Sequence, residues 1–173
     1  TFKQEGDEVR FKESVVYYDC GWSNYYPSDN YPFMYKCRSA NSSIIKYRYA
    51  DVLLLKAEAL IMQDTPDLEG AADIIDEVRD RAKLGALPTS VRSNKNVLLN
   101  ALLKERRLEL AFEGQRWFDL VRLDKVEEVM NAVYAKDSGR KAQIYTFDKN
   151  SYRLPIPQSV IDANDKIHQN PGY

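Results

Sequence analysis

The aromatic residues of this chain stop at Tyr49 and do not resume until Phe112. Residues 1–49 carry eight of the 12 tyrosines, together with Trp22, Phe2, Phe11 and Phe33, and residues 50–111 carry no ring at all. A stretch that is apolar at helical spacing yet free of rings must build its core from aliphatic side chains on helices. The ring-rich segment cannot do the same. Its run Tyr25-Tyr26-Pro27-Ser28-Asp29-Asn30-Tyr31-Pro32 favours turns over regular elements. The sequence therefore predicts an extended segment over 8–19 and a long loop over 20–43. Loops of that length are usually functional or disordered. The density of rings between Tyr17 and Tyr35 argues against disorder.

From Arg48 onward the period is helical. A first helix is expected over about 48–63, with Val52, Leu55, Ala59 and Met62 on one stripe and Leu54 and Ile61 beside it. Thr65-Pro66-Asp67 should start a second helix, with Thr65 as cap, Pro66 in the first helical position and Asp67 at the positive end of the dipole. Its apolar face is Leu68, Ala71, Ala72, Ile75 and Val78, and Gly85 is its expected stop. A third helix over about 96–113 turns Leu99, Leu102, Leu103 and Leu110 inward, and Gly114 ends or bends it. A fourth over about 116–133 carries Phe118, Val121, Val126, Val129 and Val133. Beyond Tyr134 the pattern fades. Asp137-Ser138-Gly139 reads as a turn, 145–147 and 153–156 as extended segments whose prolines forbid a central strand, and Ser159 as the start of a short helix. The expected fold is all-α, built from helical hairpins with long irregular loops and little strand. Its parts are 1–47 (aromatic-rich), 48–133 (four-helix core) and 134–173 (irregular wrap). Two hairpins are fewer than the three or more stacked repeats a solenoid needs to cover its core. The helices should therefore pack on something further, either residues 1–47 or a segment outside this chain.

Composition excludes several function classes. Lys plus Arg number 25 and Asp plus Glu 26, giving a net charge of −1. That balance argues against a dominant nucleic-acid footprint. No apolar run reaches the ~20 residues of a membrane helix. The single histidine, His168, rules out zinc sites with several His ligands. No P-loop or nucleophile elbow is present, and no cofactor is expected. The chain begins at Thr1 without a basic, then apolar, leader, so either a leader has been removed or this is part of a longer protein.

The densest signal is Glu105-Arg106-Arg107-Leu108-Glu109-Leu110-Ala111-Phe112-Glu113-Gly114-Gln115-Arg116-Trp117-Phe118-Asp119-Leu120-Val121-Arg122. Charges of both signs alternate at helical spacing beside large apolar residues. Arg106 with Glu109, and Asp119 with Arg122, can meet on one helix face. The pattern suggests a partly buried ion-pair lattice between helices, costly to break at either partner. Glu105, Glu109 and Glu113 also form a stripe that resembles half of a carboxylate metal site. Di-iron bundles need Glu-x-x-His pairs, and this chain has none, so the structural role is the expected one.

This stretch resembles the signature of the SusD/RagB family. Three further segments resemble that family's motifs in the same order: Arg48 to Ala59, Ala72 to Ala82, and the pair Leu154-Pro155-Ile156-Pro157 and Gln169-Asn170-Pro171-Gly172-Tyr173. In the second of them Asp76 stands where Asn is commoner. The resemblance covers 48–173 and leaves 1–47 poorly matched. It implies a mostly helical, tetratricopeptide-like, non-catalytic glycan-binding protein of the outer membrane. Such a protein is surface-exposed and held by an N-terminal lipid anchor, and it works with a SusC-like TonB-dependent transporter. Full members are longer, so this chain would be a C-terminal portion, with neither Cys20 nor Cys37 as the lipidated residue.

The expected ligand contacts lie in the aromatic segment. Trp22, Tyr25, Tyr26 and Tyr31 offer flat faces for the C–H side of a sugar, and Asp29, Asn30 and Arg38 offer hydrogen bonds to hydroxyls. Any one of these rings is slightly better explained by packing; the cluster as a whole points to binding. Two other readings stay open: a helical scaffold binding a peptide or protein, and a glycan-cleaving enzyme with two carboxylates at a set separation. Cys20 and Cys37 bracket the loop. Bridged, they would close about 18 residues and stabilise the chain by about 3 kcal/mol in the chain-entropy model; unbridged, they are two buried thiols. Intact mass with and without reductant separates the two, since a bridge requires a gain of two hydrogens on reduction.

Overall fold

The computed structural model describes residues 2–22, 30–36, 44–136 and 147–173. Among them the α-helices are α1 (Glu8–Ser14), α2 (Tyr49–Met62), α3 (Leu68–Arg81), α4 (Thr89–Arg92), α5 (Lys95–Glu109), α6 (Arg116–Arg122), α7 (Val126–Lys136) and α8 (Gln158–Asp162). The strands are β1 (Val15–Tyr18) and β2 (Tyr31–Met34). The chain is mostly helical with little strand, as expected. It forms two compact units, 1–116 and 117–173. They part inside the region that sequence pattern alone joins into one helical core.

In the first unit α2 and α3 pack as an antiparallel pair with α5 against them. Leu54, Ala57 and Ile61 from α2, Ala71, Ala72, Ile75 and Val78 from α3, and Leu98 and Leu102 from α5 form one buried aliphatic cluster. The ring-free stretch thus makes its core from aliphatic side chains alone. The face of α2 differs from the sequence expectation. Val52, Leu55, Ala59 and Met62 are exposed, while Leu54, Ala57 and Ile61 are fully buried. The helix is apolar around most of its circumference, so spacing alone does not select a side. Its two buried carboxylates, Asp51 and Glu58, lie on the inward side, and Asp51 meets the buried Arg106 there, 2.9 Å away.

Helix ends also differ in detail. Asp67, not Thr65, caps α3: its carboxylate accepts from the Gly70 amide at 2.9 Å. Asn94 caps α5 through the Asn96 and Val97 amides, both at 3.1 Å. The turn between α3 and α5 holds α4, a helix not expected from sequence. Asp76 explains its position, accepting from the Leu87 amide at 2.8 Å and from Arg92 Nη1 at 2.5 Å. An asparagine there could not pair ionically with Arg92, so the aspartate at this position has a local reason. The segment expected to be extended over 8–19 is helical through Ser14, and Asp7 caps that helix by accepting from the Arg10 amide. The expected loop 20–43 contains β2, so β1 and β2 form an antiparallel hairpin with Tyr17 opposite Pro32 and Tyr18 opposite Tyr31. Pro32 is tolerated because neither strand is central.

In the second unit the expected fourth helix is two, α6 and α7. The break falls at Asp124, which takes the left-handed region at φ 52°, and the Lys125 amide closes it onto the Leu120 carbonyl at 2.8 Å. Val126 is buried, whereas Phe118 and Val133 are exposed. Arg122 and Asp119 pair at 2.8 Å, as spacing predicts. The two C-terminal motifs clasp each other. The Gln169 amide accepts from the Ile156 N–H at 2.8 Å and donates to the Ile156 carbonyl at 2.9 Å, while Asn170 donates to the Leu154 carbonyl at 2.7 Å. Phe147 is held by Asn131 through both its N–H and its carbonyl. The expected turn 137–139 lies outside the described residues.

Two substitutions test this assignment by denaturant unfolding. Ile75→Ala should cost about 2–5 kcal/mol as a buried truncation. Asp67→Ala should cost about 1 kcal/mol as a lost cap, with Thr65→Ala near neutral.

Candidate ligand-binding site

The site begins with charges inside the first unit. Glu105, Glu109 and Glu113 run along α5 and its end, and their side chains are at most 2% exposed. Arg10 of α1 donates to Glu105 at 2.6 Å and to Glu109 at 3.1 Å, and Arg79 of α3 reaches Glu105 at 3.3 Å. Arg48, at the start of α2, donates to Glu109 at 2.5 Å and to Glu113 at 2.8 Å. Arg81 of α3 pairs with Glu109, and Lys36, just past β2, pairs with Glu113. The carboxylate stripe is therefore neutralised by cations from α1, α3, the start of α2 and the segment just past β2. No group of metal-ligating side chains occurs among the described residues.

Electrostatics follow from this packing. Burial pushes the Glu109 carboxyl up, but Arg48, Arg81 and Arg10 outweigh it and hold the group below its ordinary range. Burial acts likewise on Glu113 and is outweighed by Arg48 and Lys36. Arg10 and Arg48 are held above their ordinary values despite burial, by Glu105 and Asp7 for one and by Glu113 and Glu109 for the other. A cleft of about 300 Å³ borders this lattice, lined by Arg10, Lys36, Arg48, Arg81, Glu109 and Glu113 among others. Its cations already face carboxylates.

The lattice also sets the turn after α5. Glu113 is tied to Lys36 and Arg48, and its amide closes onto the Leu110 carbonyl at 3.1 Å. Between those anchors Phe112 takes the left-handed region at φ 66° and remains half exposed. A bulky residue there is strained, and such strain persists only where the surroundings fix it. Phe112 lines a second cleft of about 460 Å³ with Phe2, Lys3, Phe11, Val15, Tyr17, Pro32, Arg107, Leu108, Ala111 and Arg116. That volume lies within the range of small-molecule sites.

The hairpin gives this cleft one wall. Alternation along the strands puts Val15, Tyr17 and Pro32 toward the cleft. Tyr18, Tyr31 and Phe33 lie on the opposite face, where Phe33 is 5.9 Å from Tyr18 and 5.2 Å from Tyr31 between ring centroids. Lys3 sits 5.2 Å from both the Phe11 and Tyr17 rings.

Of the residues expected from sequence, Trp22 is 76% exposed in the turn beyond β1. Asn30 takes φ 53° and donates its N–H to Asp19 at 2.9 Å, which fixes the approach to β2. Tyr31 begins β2 and joins the outer ring cluster. Tyr25, Tyr26, Asp29 and Arg38 lie outside the described residues. Cys20 is buried, its Sγ 3.8 Å from the Tyr18 carbonyl; Cys37 lies outside the described residues. The cleft residues Phe2, Phe11, Tyr17, Phe112, Lys3 and Arg107 were not among the expected contacts. The runs Val15-Val16-Tyr17-Tyr18 and Tyr31-Pro32-Phe33-Met34 carry a hairpin signal that would have placed Tyr17.

Comparison with known proteins gives a consistent result. A sequence model of the SusD family matches residues 29–173. SusD-like protein P38 of Formosa agariphila is 43% identical over 99 residues, spanning 54% of this chain and 19% of that protein. SusD-like protein P2 of the same organism is 36% identical over 143 residues, spanning 79% of this chain and 27% of that protein. A solved laminarin-binding SusD-like protein superposes with a TM-score of 0.63 at 28% identity, covering 99% of this chain and 37% of that one. The chain thus spans roughly a fifth to a quarter of the length of the curated relatives it matches.

The lattice predicts how stability depends on pH. Glu109 and Glu113 titrate lower when folded than when unfolded, so their contribution is complete above the ordinary glutamate range and is lost as pH falls through their folded values. Thermal unfolding followed by circular dichroism should show the melting temperature falling steeply on acidification below that range, and Glu113→Gln should flatten the fall. Glu109→Ala, which leaves Arg10 buried with fewer partners, should cost about 3 kcal/mol.

Proposed function

The chain belongs to the SusD family, and from that membership we propose that it forms part of a non-catalytic nutrient-capture protein of the outer membrane. The protein binds an oligosaccharide or polysaccharide at the cell surface and passes it to a SusC-like TonB-dependent transporter. It is held at the membrane by a lipid anchor borne elsewhere in the longer protein. No helix among the described residues is long and apolar enough to cross a membrane.

The observation that carries this reading is the solvent-facing ring surface of the hairpin. Tyr18 and Tyr31 on the two-stranded element and Trp22 in the turn beyond β1 stand exposed or half-exposed. Exposed rings with a polar edge suit sugars, whose C–H faces stack on the ring while hydroxyls take hydrogen bonds at the rim. Capture by stacking and hydrogen bonding breaks no covalent bond, so no catalytic residue is required. The laminarin-binding relative, which this chain matches over nearly its whole length, supports a glycan as the ligand class.

The test uses the full-length protein on a glycan panel. Trp22→Ala combined with Tyr25→Ala should abolish retention of whichever glycan binds, with an unchanged melting temperature. Unchanged affinity would overturn the placement of the site, and binding of peptides but no glycan would favour a scaffold. Release of shortened products would establish a glycan-cleaving enzyme instead.

A further inference from the structure

We propose that the cleft behind the hairpin takes an acidic sugar, a residue carrying a carboxylate or a sulfate ester. The assignment rests on the glycan-capture reading and adds the charge class of the ligand. Three cations line this cleft, Lys3, Arg107 and Arg116, and no carboxylate does. In a chain with 26 acidic residues and a net charge of −1, a cleft of that composition departs from the average surface. It departs even more from the neighbouring cleft, where Glu109 and Glu113 face the cations.

The three cations are held in different ways. Arg116 donates Nη1 to the Leu103 carbonyl at 3.0 Å, which fixes its side chain against α5. Lys3 lies over the Phe11 and Tyr17 rings, 5.2 Å from each centroid, close enough for a cation–π contact. Arg107 is exposed on α5. Among the described residues neither Lys3 nor Arg107 has a carboxylate within ion-pair distance. Their charge therefore remains available to an incoming anion.

Aromatic faces complete the cleft. Phe11 and Tyr17 are 6.1 Å apart between centroids, and Phe2 lies 6.2 Å from Phe11. Phe112 enters from the turn that Glu113 fixes. A pyranose ring seated among these rings would bring an acidic substituent beside Lys3, which lies 5.2 Å from the Phe11 and Tyr17 centroids. A guanidinium can hold a carboxylate or sulfate through two parallel hydrogen bonds. The apolar platform with Lys3 and Arg107 beside it selects an acidic saccharide over a neutral one, because a neutral sugar gives Lys3 and Arg107 no counter-charge.

The experiment is calorimetric titration of the full-length protein with an oligogalacturonate, a sulfated galactan oligosaccharide and a neutral laminari-oligosaccharide, at low and high salt. Binding of either acidic probe, weakening as salt rises, is expected, and which of the two binds identifies the acidic group. Lys3→Gln with Arg107→Gln should weaken that binding at least about tenfold, since each lost contact involves a charged hydrogen bond. Both residues are exposed, and an unchanged melting temperature should accompany the loss. Phe112→Gly should also weaken binding while keeping the fold, because glycine accepts the left-handed backbone at this position. Acidic-glycan affinity that is unchanged in these variants, or binding of the neutral probe alone, would overturn the assignment and leave glycan capture standing. Failure of every glycan to bind would overturn the capture reading and this one with it.

Discussion

The buried carboxylates of α5 are the constraint on which the first unit depends. Three glutamates four residues apart, Glu105 and Glu109 on α5 and Glu113 in the turn after it, repel each other and lose hydration when buried, so each needs a cation at hydrogen-bond distance. The cations come from α1, from Lys36 two residues past β2, from the cap of α2 and from α3. Each of those segments must therefore sit where its charge is needed. Arg10 and Lys36 tie the ring-rich N-terminal segment to α5 and the turn after it. Arg48 joins α2 to the same helix end. Asp51 and Arg106, both buried, repeat the device one turn away.

This placement brings the hairpin and the turn after α5 to one cleft. Lys36 anchors the end of the hairpin, and Glu113 anchors the turn that carries Phe112. The hairpin then presents one ring face outward and one toward the cleft. The carboxylates of α5 and the turn after it are locked in ion pairs, while Tyr18, Trp22 and Phe112 stand exposed. The strained backbone of Phe112 and the left-handed Asn30 both lie at the margins of that surface, where such conformations are commonly retained for a reason other than stability.

Much of this was legible in the residues. Helical spacing located α2, α3 and α5, and the ordered series of motifs from Arg48 to Tyr173 pointed to the family. The alternating charges of 105–122 announced a lattice. The partners did not follow from spacing. Arg106 reaches Asp51 on another helix, and Glu109 draws Arg10, Arg48 and Arg81 from three elements, because tertiary packing rather than one helix face decides who meets whom. The burial face of α2 was misread, since Val52, Leu55 and Met62 are as apolar as Leu54 and Ile61; the choice between them lies with Asp51 and its partner. The hairpin was hidden by turn-rich residues between its strands, and with it the role of Tyr17. Lys3 and Phe11 could not be assigned to a cleft with Phe112, about a hundred residues away in the chain, by any local pattern.

Hydrogen–deuterium exchange of the full-length protein, with and without a bound glycan, tests the central claim most directly: that the aromatic hairpin and the turn after α5 form the ligand surface on a framework that does not itself change. The account predicts glycan-dependent protection confined to peptides covering residues 15–34 and 107–116, with exchange in α2 and α3 unaltered. Protection centred on α2 and α3, with the hairpin exchanging as in the free protein, would contradict it.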